Sequence, residues 1–160
     1  MNKIKEIWKV LENVKDPEIP AVSVVDLGII TSVETSDDNA FVVMTPTFVG
    51  CPAITIMKMQ IQKQIEKLGL FNQVEVKIDF ETPWTSNRIS DEGKRKLKEF
   101  GLAPPPNFEG TLTMEELAKV SCPFCGSANT TLNSPFGSTL CRAIHFCYDC
   151  DQGFEQFKPI

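Results

Sequence analysis

Two Cys-x-x-Cys pairs, Cys122-Pro-Phe-Cys125 and Cys147-Tyr-Asp-Cys150, stand 21 residues apart near one end of this 160-residue chain. Each pair can turn two thiolates inward from one tight turn, and a hairpin between the pairs can close them into a tetrahedral set of four. A segment of about 40 residues buries too little apolar surface to fold unaided, so a bound metal would supply much of its folding free energy. The expected occupant is structural zinc held by Cys122, Cys125, Cys147 and Cys150. An iron–sulfur cluster, which also uses four thiolates, is the alternative. Cys141 reads first as an ordinary buried thiol; otherwise it would displace a knuckle member or help hold an iron–sulfur cluster. His145, the single histidine, sits among aromatics and reads more readily as a surface or packing residue than as a ligand. A redox Cys-x-x-Cys would come as one pair in a βαβ setting, and two pairs argue against it.

The sixth cysteine stands apart, in Thr45-Pro-Thr-Phe-Val-Gly50-Cys51-Pro52. Proline suits the first turn of a helix, where its missing N–H is not needed, so Cys51 should lie at a helix start. There, free N–H groups and the positive end of the dipole would stabilise a thiolate, making the sulfur a stronger nucleophile and a better ligand. A half-buried cysteine that packs as a small apolar group is the bland alternative. Asp16 and Glu18, in Asp16-Pro-Glu18, are the other polar candidates. They serve either as turn chemistry after a helix or as carboxylates beside Cys51, accepting a proton or lending oxygen to a transient metal.

Those parts do not assemble into an independent enzyme. With one histidine, placed among the tail cysteines, no Ser-His-Asp set is available, and no glycine-rich phosphate loop is present. A net charge of −5 speaks against a nucleic-acid partner, which needs a concentrated positive face. From Lys119 to Ile160, three basic residues are balanced by three acidic ones, so the tail is neutral. No apolar run is long enough for a membrane span, and the first residues carry charges every three or four positions. A cytoplasmic protein is expected, and there cysteines serve as ligands or thiols rather than disulfides.

The elements that must position these residues follow from periodicity. Ile4, Ile7, Trp8, Leu11 and Val14 predict an amphipathic helix over 2–14, stopped by the Asp16–Pro20 segment. Leu27, Ile29 and Val33 predict a strand over 27–34, with Phe41–Met44 as its hairpin partner. Ile54, Met57, Ile61, Ile65 and Leu68 predict a second helix, and Val74, Val76, Ile78 and Phe80 a half-buried strand. The fold class is α+β: a small α-β-β-α-β sandwich followed by a zinc-ribbon-like β module. A third helix is expected over 89–100, with Asp91 and Glu92 early and Lys96 and Lys98 late, as the helix dipole favours. The boundaries are then a first domain over 1–100, a stiff proline-rich linker over 101–118, and the Cys-rich domain over 119–160. Thr113 and Glu116 have the spacing of a capping box.

Three ordered motifs, Asp16-Pro-Glu-Ile-Pro20, Val25-Asp-Leu-Gly-Ile-Ile30 and Thr45-x-Thr47-x-x-x-Cys51-Pro52, resemble the metal–sulfur cluster assembly family of the MIP-eighteen type over residues 1–81. Cys122-Pro-x-Cys-Gly-Ser, Ser134-Pro-Phe-Gly-Ser-Thr139, Cys141-Arg, Cys147-x-x-Cys150 and Phe154-x-x-Phe-Lys158 are similar to the D-subunit family of the phenylacetyl-CoA epoxidase system, as are Pro83–Ser86 and Leu102–Pro105. The resemblance implies an accessory of a bacterial multicomponent oxygenase, with the oxygenase and reductase subunits of that system as partners. It implies a role in assembling an iron–sulfur or di-iron centre, and it assigns the reactive thiol to Cys51 with Asp16 and Glu18 nearby. Neither nucleic acid nor membrane is an expected partner, and a homodimer is left open.

Overall fold

The computed structural model describes residues 1–160, which form two units, Met1–Trp84 and Thr85–Ile160. In the first, Asn2 accepts hydrogen bonds from the N–H groups of Ile4 and Lys5 and so starts α1 (Lys3–Leu11). Its inner face buries Ile7 and Leu11 completely, each contributing about 1.5–3 kcal/mol of transfer free energy. β1 (Ile30–Ser36) and β2 (Asn39–Met44) form an antiparallel hairpin, turned at Asp37 in the left-handed region (φ 54°). α2 (Ala53–Glu66) buries Ala53, Ile54, Met57, Ile61 and Ile65. It is the crossover that lets β3 (Gln73–Ile78) run parallel to β2, in the order β1-β2-β3. The α-β-β-α-β order matches the sequence expectation.

The strand expected over 27–34 begins only at Ile30. Residues before it form a turn closed by reciprocal bonds: Ser23 N–H to the Asp26 carboxylate (2.9 Å) and Asp26 N–H to Ser23 Oγ (3.0 Å). Gly28, at φ 64°, lets the chain leave that turn. Leu27 and Ile29 are fully buried, so their alternation reports a packed turn rather than a pleat.

In the second unit, α3 (Asp91–Phe100) is capped by Ser90 Oγ, which accepts from Gly93 N–H, and it ends at Gly101 with φ 92°. β4 (Leu102–Ala103) follows, then α4 (Met114–Ala118), which is started by the full Thr113–Glu116 capping box. β5 (Thr130–Ser134), β6 (Arg142–Cys147) and β7 (Gln152–Phe157) complete a four-stranded sheet in the order β4-β7-β6-β5. The expected boundaries therefore need correction. The division falls after Trp84, not at residue 100, and α3 belongs with the Cys-rich part. The proline-rich stretch is not a plain linker over 101–118, because Leu102 and Ala103 pair with Glu155 and Gln156 of β7.

Candidate functional site

The tail cysteines meet as their spacing requires. The Sγ atoms of Cys122, Cys125, Cys147 and Cys150 all lie within 4.8 Å of one another. Cys122 and Cys150 are 3.7 Å apart, and Cys125 and Cys147 are 3.6 Å apart. A tetrahedron with Zn–S bonds of about 2.3 Å has edges of about 3.8 Å, so these thiols fit a single ion. A cluster spreads its thiolates over separate irons and needs wider spacing, which decides against the iron–sulfur alternative here. The donor set is that of a structural zinc site, and such an ion would cross-link the two knuckles without an open position for chemistry.

Local backbone builds the first knuckle: Gly126 N–H returns to Cys122 C=O and Cys122 N–H to Ser127 C=O, both at 2.9 Å. Asp149, inside the second knuckle, ties the two together. It accepts from Ser127 Oγ and from Asn129 Nδ2 (2.8 Å), and these bonds hold its carboxyl below the ordinary range. Sequence reasoning passed over Asp149, whose only signal is its place between the last two ligands. Burial pushes the Cys122 thiol up, but N–H groups of Cys125 and Phe124 and the neighbouring sulfurs outweigh it and bring it to about 7. Cys150 is pushed up to about 12, by burial and then by the sulfurs of Cys147, Cys122 and Cys125. Four thiolates cannot share this space without a cation.

Cys141 lies outside the set; its sulfur sits 2.9 Å from Thr139 Oγ1. His145 is fully buried, stacked on Phe154 at 5.3 Å between centroids, with Nε2 at 2.9 Å from Gln156 Oε1. It is a packing residue, as its surroundings in the sequence suggest.

Cys51 stands just before α2, half-buried; Ile54 N–H donates to its carbonyl at 3.2 Å, and the N–H groups of Ala53 and Ile54 favour the thiolate. Gly50 has φ 84°, and a Cβ there would meet nothing within 4 Å, so the approach to the loop is open. The charges of Glu18 and Asp16 reach the sulfur through space. Asp16 also closes its own turn, accepting from Glu18 N–H at 2.7 Å, which is the turn chemistry expected of it. Thr45, which opens the loop to Cys51, is buried with an unpartnered hydroxyl; only the Thr-x-Thr spacing hints at it.

The charge state expected for Cys51 is reversed. Its thiol is held above the ordinary value, first by burial, with Glu18 and Asp16 adding to the effect and the helix N–H groups only partly opposing it. At rest the sulfur is protonated rather than an activated thiolate, and a cation is what would release the proton. An Asp16→Asn/Glu18→Gln variant should therefore have a lower Cys51 pKa. Iodoacetamide labelling of Cys51 near neutral pH should rise, by up to about tenfold for each pH unit through which that pKa falls. Unchanged labelling kinetics would mean that the carboxylates do not govern the sulfur.

Comparisons with known proteins divide the chain in the same way. The family profile described as iron–sulfur cluster assembly protein matches residues 4–78, and that of the PaaD zinc β-ribbon domain matches residues 107–158. An Escherichia coli (strain K12) protein, provisionally named as the D subunit of 1,2-phenylacetyl-CoA epoxidase, is 34% identical over 158 residues, covering 99% of this chain and 94% of its own. The Bacillus subtilis (strain 168) Fe-S protein maturation auxiliary factor YitW is 33% identical over 94 residues, 58% of this chain and 91% of the relative. Among solved structures, a DUF59 domain from Bacillus anthracis superposes with a TM-score of 0.56 at 30% identity, covering 59% of this chain and 91% of that one. A conserved hypothetical protein from Thermotoga maritima gives 0.52 at 33% identity, covering 61% and 98%. No helix is long and apolar enough to cross a membrane.

Proposed function

Since the chain belongs to the PaaD family, which joins an iron–sulfur assembly domain to a zinc β-ribbon, we propose that it is a non-catalytic maturation accessory of a phenylacetyl-CoA oxygenase. Its task is to help load an iron–sulfur or di-iron centre of the oxygenase or reductase subunits, with iron as cargo rather than resident cofactor. The single observation that carries this is Cys51 at an open loop, its sulfur under the charge of Glu18 and Asp16 and outside the closed four-thiolate set. A soft sulfur with carboxylate charge near it, rather than a complete ligand cage, suits holding a metal briefly. When the cargo arrives, Cys51 gives up its proton and the carboxylates offset the added positive charge. When the cargo leaves, the thiol reprotonates, and its raised pKa favours that release.

The test is to produce the client subunits with wild type or Cys51→Ser and measure their iron content and activity. Cys51→Ser should keep its fold yet lower client iron by about tenfold, the usual scale for losing a metal-site group. Full iron occupancy with Cys51→Ser would end the proposal. A second reading, a permanent docking subunit, is favoured by the exposed Phe124, Phe136 and Tyr148 of the ribbon. It requires fixed-stoichiometry co-purification together with full client activity in the Cys51→Ser background.

A further inference from the structure

The outer face of α2 has no partner within the first unit. Ile56 and Met59, 47% and 67% exposed, are followed by Gln60, Lys63 and Lys67 at spacings of three and four, so all five lie along one stripe. Opposite them lie the buried Ile54, Met57, Ile61 and Ile65. Ile56, Met59, Gln60, Gln62, Lys63 and Glu66 line a shallow cleft of about 690 Å3, where Glu66 accepts from Gln62 Nε2 at 2.9 Å. A second cleft, of about 410 Å3, shares Gln60 and Lys63 and adds Lys67, Gln64 and, from the segment after α1, Lys15 and Asn13. Asp16 is the one carboxylate in that lining, and it is one of the two whose charge reaches Cys51.

We propose that this stripe docks an acidic amphipathic segment of the client protein, its apolar side chains on Ile56 and Met59 and its carboxylates on Lys15, Lys63 and Lys67. The proposal rests on the maturation role for its purpose, since docking there would set the client beside Cys51. Charge complementarity selects the occupant. Residues 1–84 hold eight basic and twelve acidic side chains, and against that background three lysines from two separate segments converge on one cleft. The helix dipole accounts for Lys63 and Lys67 near the end of α2 but not for Lys15 arriving from a different element. The acidic surroundings disfavour a polyphosphate such as nucleic acid, whereas a few carboxylates on an apolar strip match both halves. From Ile56 to Lys67 the stripe is about 16 Å long, room for some three turns of a docked helix.

The probe is a fluorescent helical peptide with paired leucines followed by glutamates, titrated into the full chain by anisotropy. Saturable binding is expected, weakened about tenfold or more by Lys63→Glu/Lys67→Glu and by Met59→Ser, and weakened by salt. All three positions are exposed or face solvent, so these variants should fold. Cys51→Ser should bind the peptide like wild type, so loss of client maturation and loss of docking are separate failures. Equal binding of a peptide with lysines in place of the glutamates would overturn the proposal. So would displacement by inorganic phosphate at matched concentration, which marks a small-anion site. Self-association of the full chain that disappears in Ile56→Ser would assign the face to a second copy and overturn it as well.

Discussion

Stripping zinc from the ribbon, or replacing Cys147 by serine, should melt the β5-β6-β7 sheet while Met1–Trp84 stays folded. The buried cluster there consists of Ala103, Cys122, Cys147 and Phe154, with Val120 and Cys150 packed against it. Two of its four members are therefore ligands, and little apolar surface is left to hold the knuckles once the ion is gone. Zinc contributes about 10–16 kcal/mol to the folding of small zinc-finger peptides near neutral pH, and this sheet depends on it for the same reason. Protons must also leave: Cys150, at about 12 without the ion, keeps its proton at neutral pH and loses it on binding. Binding should thus release protons, and affinity should fall as pH falls, because protons compete for the same sulfurs. Zinc release to a colorimetric chelator, followed with circular dichroism across pH, checks both points. A Cys147→Ser protein that keeps zinc and its strand signal would refute them.

The zinc site was legible because knuckle spacing is local: two residues between ligands dictate a tight turn, whatever the rest of the chain does. Val74 and Val76 were legible for a similar reason, their alternation mirroring the exposed–buried pattern of β3. Leu27 and Ile29 misled because period-two burial also arises in a turn folded back on itself by Ser23 and Asp26. Leu102 and Ala103 could not be recognised as a strand, since their pairing partner is β7, more than 50 residues on. At Cys51 the sequence displayed the helix start and its N–H groups. The approach of two carboxylates from residues 16 and 18 is a tertiary fact, and together with burial it outweighs the helix in setting the thiol's charge.

That approach depends on a residue far from the sulfur. Trp84 is buried, and its indole Nε1–H donates to the Leu27 carbonyl at 2.8 Å. The turn that contains Leu27 hands its geometry to Ile29, whose carbonyl receives Thr45 N–H at 2.8 Å, and Thr45 opens the loop that ends at Cys51. On the other side, Val24 N–H bonds to the Val14 carbonyl and Asp16 N–H to the Val22 carbonyl, so the same turn anchors Asp16. Trp84→Ala should cost about 3–5 kcal/mol, since it removes a buried aromatic and leaves a cavity. Against a domain stability of about 5–15 kcal/mol, that is a large share. Trp84→Phe keeps most of the packing but strands the Leu27 carbonyl, and should cost about 1–3 kcal/mol. Denaturant melts of the first unit measure both. Because Asp16 and Thr45 hang from this one turn, Cys51 in Trp84→Ala should also become more accessible and alkylate faster, under conditions where the variant is still folded. If stability drops as stated while Cys51 keeps its wild-type labelling rate, Trp84 supports the core alone and the link from the indole to the sulfur is wrong.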